Sequence, residues 1–416
     1  MNRDEAQEGG TSRVEGGRAL HPAEFVALVG LLMSLVALAI DAMLPALPAI
    51  GRDLGVARTN DVQLVVMSLF LGMGVGQLLF GPLSDSIGRK PAIHAGLVLF
   101  MIGCIVSIFA PTFEIMIAGR VLQGIGVAGP RICSIALVRD QYEGRMMARL
   151  MSFAMAVFIM VPTVAPALGQ GLLFLGGWHA IFITFLVITA IVLAWFGLRQ
   201  PETLPTARRR PFSPRAIGGA VAEIVRIRPA IGYTLATGFV FAPFVAYLGS
   251  AQQIFQDAYG TGALFPLYFG VLALSFGAGS LVNSRLVMNY GMRRLSKLSA
   301  AFIAAISLIA SAALFAFDGL PPFWLFMAYL LSVFVSVSLL FGNLNALAMQ
   351  PLGHIAGIGA AVIASVSTFV SVPLGAVVGQ SFDGTLYALV GAFAVSGLAT
   401  LAAMRWAEGG PSREKS

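Results

Sequence analysis

Charge is what this 416-residue chain has least of. Asp, Glu, Lys and Arg make up 11% of it, against about a quarter in a soluble globular domain. Hydrophobic residues make up 58%, and mean hydropathy is +0.87. A water-soluble fold of this size could not cover its surface with so few polar residues. Soluble architectures are excluded, and the chain reads as an integral membrane protein. Cysteine is scarce too. Cys104 and Cys133 both sit in apolar runs, which points to neither a disulfide nor a thiolate metal site. His21, His94, His179 and His354 are scattered without ligand spacing, so no metal is expected. Walker A, HExxH and GxSxG patterns are missing. ATP hydrolysis by this chain is thereby excluded, and neither an enzyme nor a cofactor is expected. The first 24 residues are polar and run directly into a long apolar stretch, unlike a cleavable signal peptide.

What is present is long apolar runs, about twenty residues each, the length that crosses a bilayer. Twelve are legible, at about 25–48, 62–82, 92–110, 113–138, 150–173, 179–198, 229–250, 264–286, 296–317, 323–349, 355–379 and 384–404. The runs are continuous rather than alternating, which predicts helices and not a barrel. The expected fold class is all-α. The expected organisation is a cytoplasmic tail (1–24), a six-helix half (25–198), a cytoplasmic central loop (199–228), a second six-helix half (229–404) and a cytoplasmic tail (405–416).

The basic residues test this topology. With the N-terminus in the cytoplasm, 22 of the 26 Lys and Arg fall on inside segments, seven of them in the central loop. The tails supply Arg3, Arg13, Arg18, Arg405, Arg413 and Lys415 to that count. Only Arg52 and Arg58 fall outside, while Arg120 and Arg131 lie within the fourth span. So uneven a split is a positive-inside signature. It also removes any case for nucleic acid from the net charge of +7, because the basic residues sit in short loops rather than on one face. The halves repeat weakly. Gly81-Pro82-Leu83 leading to Gly88-Arg89-Lys90 after the second span is echoed by Gly279-Ser280-Leu281 and Gly291-Met292-Arg293-Arg294 after the eighth. Parallel repeats around a central site are a transporter design.

The stretch from Gly81 through Asp85 and Gly88 to Lys90 resembles the loop 2–3 signature of the major facilitator superfamily. Other stretches resemble its Bcr/CflA-type drug–proton antiporters: residues 41–48, 120–124, 138–144, 165–169, 201–204 and 255–260. The resemblance covers nearly the whole chain. It departs from the family pattern at Ile40, at Gln170 after Gly169, at Arg131 where a small or apolar residue is common, and at His179 after Trp178. These departures leave the substrate open.

Asp41 is the sharpest single signal, the one acidic residue deep inside an expected span. An ionised carboxylate is costly in the bilayer interior, so the group is suited to taking up and releasing a proton. The resemblance implies the same role, with a possible part in anchoring a cationic substrate. Arg120 lies at equal depth on the fourth span, about 10 Å from its outer end at 1.5 Å per residue. It reads either as an ion-pair partner for Asp41 or as a structural arginine on backbone carbonyls. Arg131, three turns further in, reads either as an attractor for an anionic substrate or as a residue snorkelling to the interface. Gln123, Asn343 and Asn345 are further candidate substrate contacts, with Phe239, Phe241, Tyr247 and Phe341 as candidate wall.

Gly81, Asp85, Gly88 and Arg89, with Arg139 and Asp140, are read as a cytoplasmic gating loop whose ion pairs favour an outward-open resting state. Pro162, Pro166 and Gly169 are expected to kink the fifth helix as a hinge. Gly124-Ile125-Gly126-Val127-Ala128-Gly129 fits GxGxxG, but no strand precedes it, so it reads as close helix packing.

The expected function is a proton-coupled secondary transporter, exporting amphipathic drugs or similar small molecules across a bacterial inner membrane as a monomer. Two alternatives stay open: proton-coupled uptake or export of a specific metabolite, and a transport-inactive receptor or assembly partner.

Overall fold

A computed structural model describes residues 20–409. Arg3, Arg13 and Arg18 of the N-terminal tail, and Arg413 and Lys415 at the other terminus, lie outside the described residues. Within them the chain is helical without strands. In order the helices are α1 (Pro22–Asp41), α2 (Leu47–Asp53), α3 (Leu64–Ile87), α4 (Arg89–Ile108), α5 (Phe113–Gln141) and α6 (Gly144–Arg199). They continue with α7 (Pro214–Arg226), α8 (Arg228–Gln252), α9 (Phe265–Tyr290), α10 (Met292–Leu314), α11 (Phe323–Met349), α12 (Ala356–Gln380) and α13 (Tyr387–Glu408). Backbone groups in hydrocarbon have no water to bond, so an apolar run satisfies them internally as a helix.

Among the described residues ten continuous stretches are long and apolar enough to cross a membrane, but two of them, of 51 and 58 residues, are too long for one crossing. Each is folded back on itself. In α6 the backbone leaves helical geometry at Gly176 and Gly177, the latter at φ 66°. The contacts prove the reversal. Gly30 of α1 faces Val157 and Ala42 faces Gly169. Beyond the break, Trp178 donates to Asp53 at 2.8 Å, and Trp195 and Arg199 return to Glu24 at the start of α1. The second long stretch is broken between α11 and α12 by a 3₁₀ segment, Gln350–Ile355. With both divided, the described residues give twelve helices of crossing length, within a few residues of the expected ones. The central loop carries α7, capped by the Ser213 hydroxyl at Ala216 N, with Ala220 and Ile224 buried.

Small residues set the packing. A Cβ on Gly124 would lie 2.0 Å from the Leu69 carbonyl of α3, and one on Gly126 would lie 2.4 Å from the Phe100 amide of α4. The GxGxxG stretch is therefore the surface by which α5 touches both neighbours backbone to backbone, as lipid-embedded helices require when no hydrophobic driving force holds them. Across the halves, α3 packs on α12 and α6 on α9. The Ser365 hydroxyl donates to the Gly74 carbonyl at 2.7 Å at the first of these seams.

Candidate functional site

Asp41 is the last residue of α1. The helix stops there because Pro45 brings no N–H for the Asp41 carbonyl, and the chain continues as a 3₁₀ turn, Leu44–Ala46. The first arm of α6 lies directly behind it, since a Cβ on Gly169 would sit 1.9 Å from the Ala42 carbonyl. The Asp41 side chain is 5% exposed. Among the described residues it forms no hydrogen bond or ion pair, and the Tyr247 ring of α8 is within its electrostatic reach.

Arg120 does not pair with it. Its Nε donates to the Val65 carbonyl at 2.9 Å, one terminal nitrogen to the Ala39 carbonyl at 2.9 Å, and the other to Gln123 Oε1 at 2.6 Å. The guanidinium also stands 6.0 Å from the centre of the Phe182 ring. Of the two readings the sequence left open, the structure takes the second. Arg120 braces α1, α3 and α5 together, two residues from Asp41. Gln123 belongs to that brace rather than to a substrate surface, because its amide nitrogen continues to the Ser107 hydroxyl at 3.2 Å. The expected hinge residues lie on the first arm of α6. Pro162 and Pro166 lie inside continuous helix, and among the described residues α6 departs from helical backbone at Gly176-Gly177.

Arg131 is half-buried, and among the described residues its guanidinium bonds only to the Met73 sulfur, at 4.0 Å. Asn343 is occupied: it exchanges two hydrogen bonds with Asn283, at 2.8 and 3.2 Å, joining α11 to α9. Asn345 donates to the Phe341 carbonyl one turn back on its own helix. Asn343 is thus committed to Asn283, while Asn345 spends one N–H on its own helix. The wall facing the first half is aromatic instead. Phe241 contacts Phe244 and Phe341, and Tyr247 contacts Phe244 and Phe334. Phe70 of α3 meets Phe241 across the halves at 6.1 Å. Phe239 makes no ring contact in this cluster. Phe244 and Phe334 escaped the sequence reading, because in a chain with 30 Phe nothing distinguishes one lining a cavity from one facing lipid.

The end of the bundle carrying the central loop holds the ion network. The expected loop is a single residue: helix runs through Gly81 and Asp85 to Ile87, and only Gly88 breaks it, at φ 110°. Arg89 pairs with Asp85 and, at 2.9 Å, with Asp140, and donates to the Ser84 hydroxyl at 2.8 Å. Arg139 is exposed and joins no ion pair among the described residues. Its place is taken by Glu202, whose carboxylate accepts from the amides of Arg89 and Lys90 at 3.0 Å and of Thr203 and Leu204 at 2.8 Å. A Cβ on Gly88 would lie 2.3 Å from it. All these ion pairs lie within one half.

Bonds between the halves cluster at the opposite end. Gln63 donates to Gln253 at 2.6 Å, and Gln253 to Asn60 at 3.1 Å. Asn60 donates to the carbonyls of Gln380 and Phe382 at 3.1 and 2.7 Å, while Gln380 returns a bond to the Asn60 carbonyl. The ion pairs expected at the loop end are present but join elements of one half, and the bonds across the halves at the far end are made by neutral amides.

Comparison with known proteins agrees with this architecture. The family model of the Major Facilitator Superfamily matches residues 29–376. The uncharacterized MFS-type transporter YdgK of Bacillus subtilis is 29% identical over 81% of this chain and 83% of its own. A bicyclomycin resistance protein homolog of Haemophilus influenzae is 29% identical over 70% of this chain and 73% of its own. Among solved structures, the xylose transporter XylE from E. coli superposes with a TM-score of 0.71 at 14% identity, over 95% of this chain and 99% of that one. Its fold is the same. The chain belongs to the Major Facilitator Superfamily.

Proposed function

We propose that the protein exports amphipathic small molecules in exchange for protons, working as a monomer in a bacterial inner membrane with its central loop in the cytoplasm. The observation that carries this reading is Asp41, a carboxylate 5% exposed and without a bonding partner among the described residues. Its relatives named for bicyclomycin and multidrug resistance support the direction of transport. In the cycle, substrate enters from the loop end and meets ionised Asp41. The halves rock, the far-end clasp opens, a proton from outside neutralises the carboxylate, and the substrate leaves. The protonated protein returns and releases the proton inside. Exchanging one neutral molecule for one proton draws about 2.3 kcal/mol per 100 mV from the membrane potential, besides the pH gradient.

The test is proton release from purified protein in lightly buffered detergent when amphipathic compounds are added, wild type beside Asp41→Asn. Release by the wild type alone places proton and substrate in competition through Asp41. No release with a compound that demonstrably binds, or equal release from the variant, overturns the reading. An outside-acid gradient that drives uptake into cells rather than export overturns the direction alone.

A further inference from the structure

Arg131 stands apart from the other arginines the bundle encloses. Arg120 has three acceptors, and Arg89 has two carboxylates and a hydroxyl. Arg131, about 16 Å along α5 from Arg120, has a thioether at 4.0 Å. A guanidinium presents five N–H donors in a rigid fork, and a sulfur at that distance satisfies none of them well. A cation left this way in a membrane span faces a cavity and finds its counter-charge in what enters it.

The orientation supports this. Eleven positions on an α-helix return to the same face, so Arg131 looks the same way as Arg120, toward α1 and α3 rather than toward lipid. Met73, which it touches, shares a face of α3 with Phe70 and Gln77, and Phe70 meets Phe241 of the other half. That face is therefore turned to the space between the halves. Gln77 lies one turn from Met73, is 2% exposed, and its carbonyl oxygen is buried without a partner. On the opposite wall the Tyr247 hydroxyl is likewise buried without a partner. Buried polar atoms are nearly always bonded, so a poorly satisfied cation, an amide oxygen one turn from the residue it touches and a hydroxyl on the other half, each without a polar partner among the described residues, point to a missing polar occupant.

We propose that this space binds aromatic amphipaths that carry a carboxylate, with Arg131 holding the carboxylate as a bidentate pair and Gln77 beside it. The aromatic body lies against Phe70, Phe241 and Phe244, and the other end of the molecule reaches toward Asp41. The two charged side chains are thereby divided: Arg131 selects the substrate, and Asp41 carries the proton. The proposal rests on the transporter reading above and narrows its substrate class.

The experiment measures binding to the purified full-length protein by the shift of its thermal unfolding midpoint and by calorimetry. The probes are pairs of two-ring aromatic acids and their own methyl esters, starting with naphthalene-2-acetate and quinoline-3-carboxylate. The proteins are wild type, Arg131→Gln, Arg131→Lys and Gln77→Leu. The acids are expected to bind wild type at least tenfold more tightly than their esters. That preference vanishes in Arg131→Gln, is partly kept in Arg131→Lys, where the charge stays but the fork is lost, and is weakened in Gln77→Leu. Asp41→Asn keeps the preference while losing proton release.

Equal binding of acids and esters to wild type overturns the proposal, as does a preference that survives in Arg131→Gln, or binding of esters alone. If no acid binds while neutral amphipaths still release protons through Asp41, the carboxylate site falls and the exporter reading stands. Should Arg131→Gln fail to fold, the Arg131→Lys and Gln77→Leu comparisons decide.

Discussion

At the scale of single residues, two charged side chains near the same depth do opposite work. Arg120 is fully buried and spends its hydrogen bonds on the backbones of α1 and α3 and on the Gln123 side chain, while Asp41 spends none among the described residues. Replacing them should therefore separate stability from coupling. Arg120→Leu removes three charge-assisted bonds, and each hydrogen bond to a charged group contributes about 1.5–3 kcal/mol. A loss of about 2–4 kcal/mol is expected after relaxation, read as a lower unfolding midpoint in detergent. Arg120→Lys should recover only part of it, because an ammonium cannot span the Val65, Ala39 and Gln123 acceptors together. Asp41→Asn should unfold within about 0.5 kcal/mol of the wild type and yet lose proton exchange. Wild-type midpoints in Arg120→Leu would show that the brace contributes nothing.

At the scale of elements, the loop end depends on one carboxylate that belongs to none of the helices it joins. Glu202 accepts from the first two amides of α4 and from two amides of its own segment, so it caps a helix and pins the entry to the central loop together. Helix N-termini favour such an anion. Glu202→Ala should cost about 1–2 kcal/mol. It should also speed amide hydrogen exchange at Arg89, Lys90, Thr203 and Leu204, while exchange in the middle of α5 stays unchanged. Uniform acceleration across the first half would instead mean global destabilisation. Gly88→Ala should be as damaging for two separate reasons, its positive φ and the clash with the Glu202 oxygen. A charge-conserving change at exposed Arg139, such as Arg139→Lys, should leave both readouts alone.

At the scale of the whole molecule, the two halves are held at the far end by amide hydrogen bonds, and alternating access requires that clasp to open. Each net bond is worth about 1 kcal/mol. Gln63→Ala with Gln253→Ala should then move the balance between closed and open far ends by about 2–3 kcal/mol, roughly 30- to 150-fold in population. Spin labels on Ala57→Cys and Asp383→Cys, one on each half, should show a longer distance component in that background. An unchanged distance distribution would mean that the seams between α3 and α12 and between α6 and α9 set the conformation and the amides merely decorate it.

The crossings were legible in the sequence because the bilayer imposes them: an apolar run of sufficient length must be helical, and Lys and Arg must be unevenly distributed around it. Asp41 was legible for the same reason, as a lone carboxylate in an apolar run stands out without any coordinates. Gly124 and Gly126 also declared themselves as packing residues by their setting. Partnership was not legible. Equal depth on two spans placed Arg120 beside Asp41, but depth fixes one coordinate and a hydrogen bond needs three, so the sequence could not choose between a carboxylate and backbone carbonyls. Likewise Gln123 and Asn343 looked free until the structure showed Arg120 bonded to one and Asn283 to the other. Glu202 stood only as part of a stretch resembling the family, and the amides Asn60, Gln63 and Gln380 carry no local signal, because their roles arise only where distant segments meet. The sequence by itself determined the solvent, the helices and the ionisable groups, since these follow from transfer free energies residue by residue. Only the tertiary structure decided which polar atoms are already satisfied: among the described residues Arg120 is bonded to three acceptors, while Asp41, two residues from one of them, forms no hydrogen bond or ion pair.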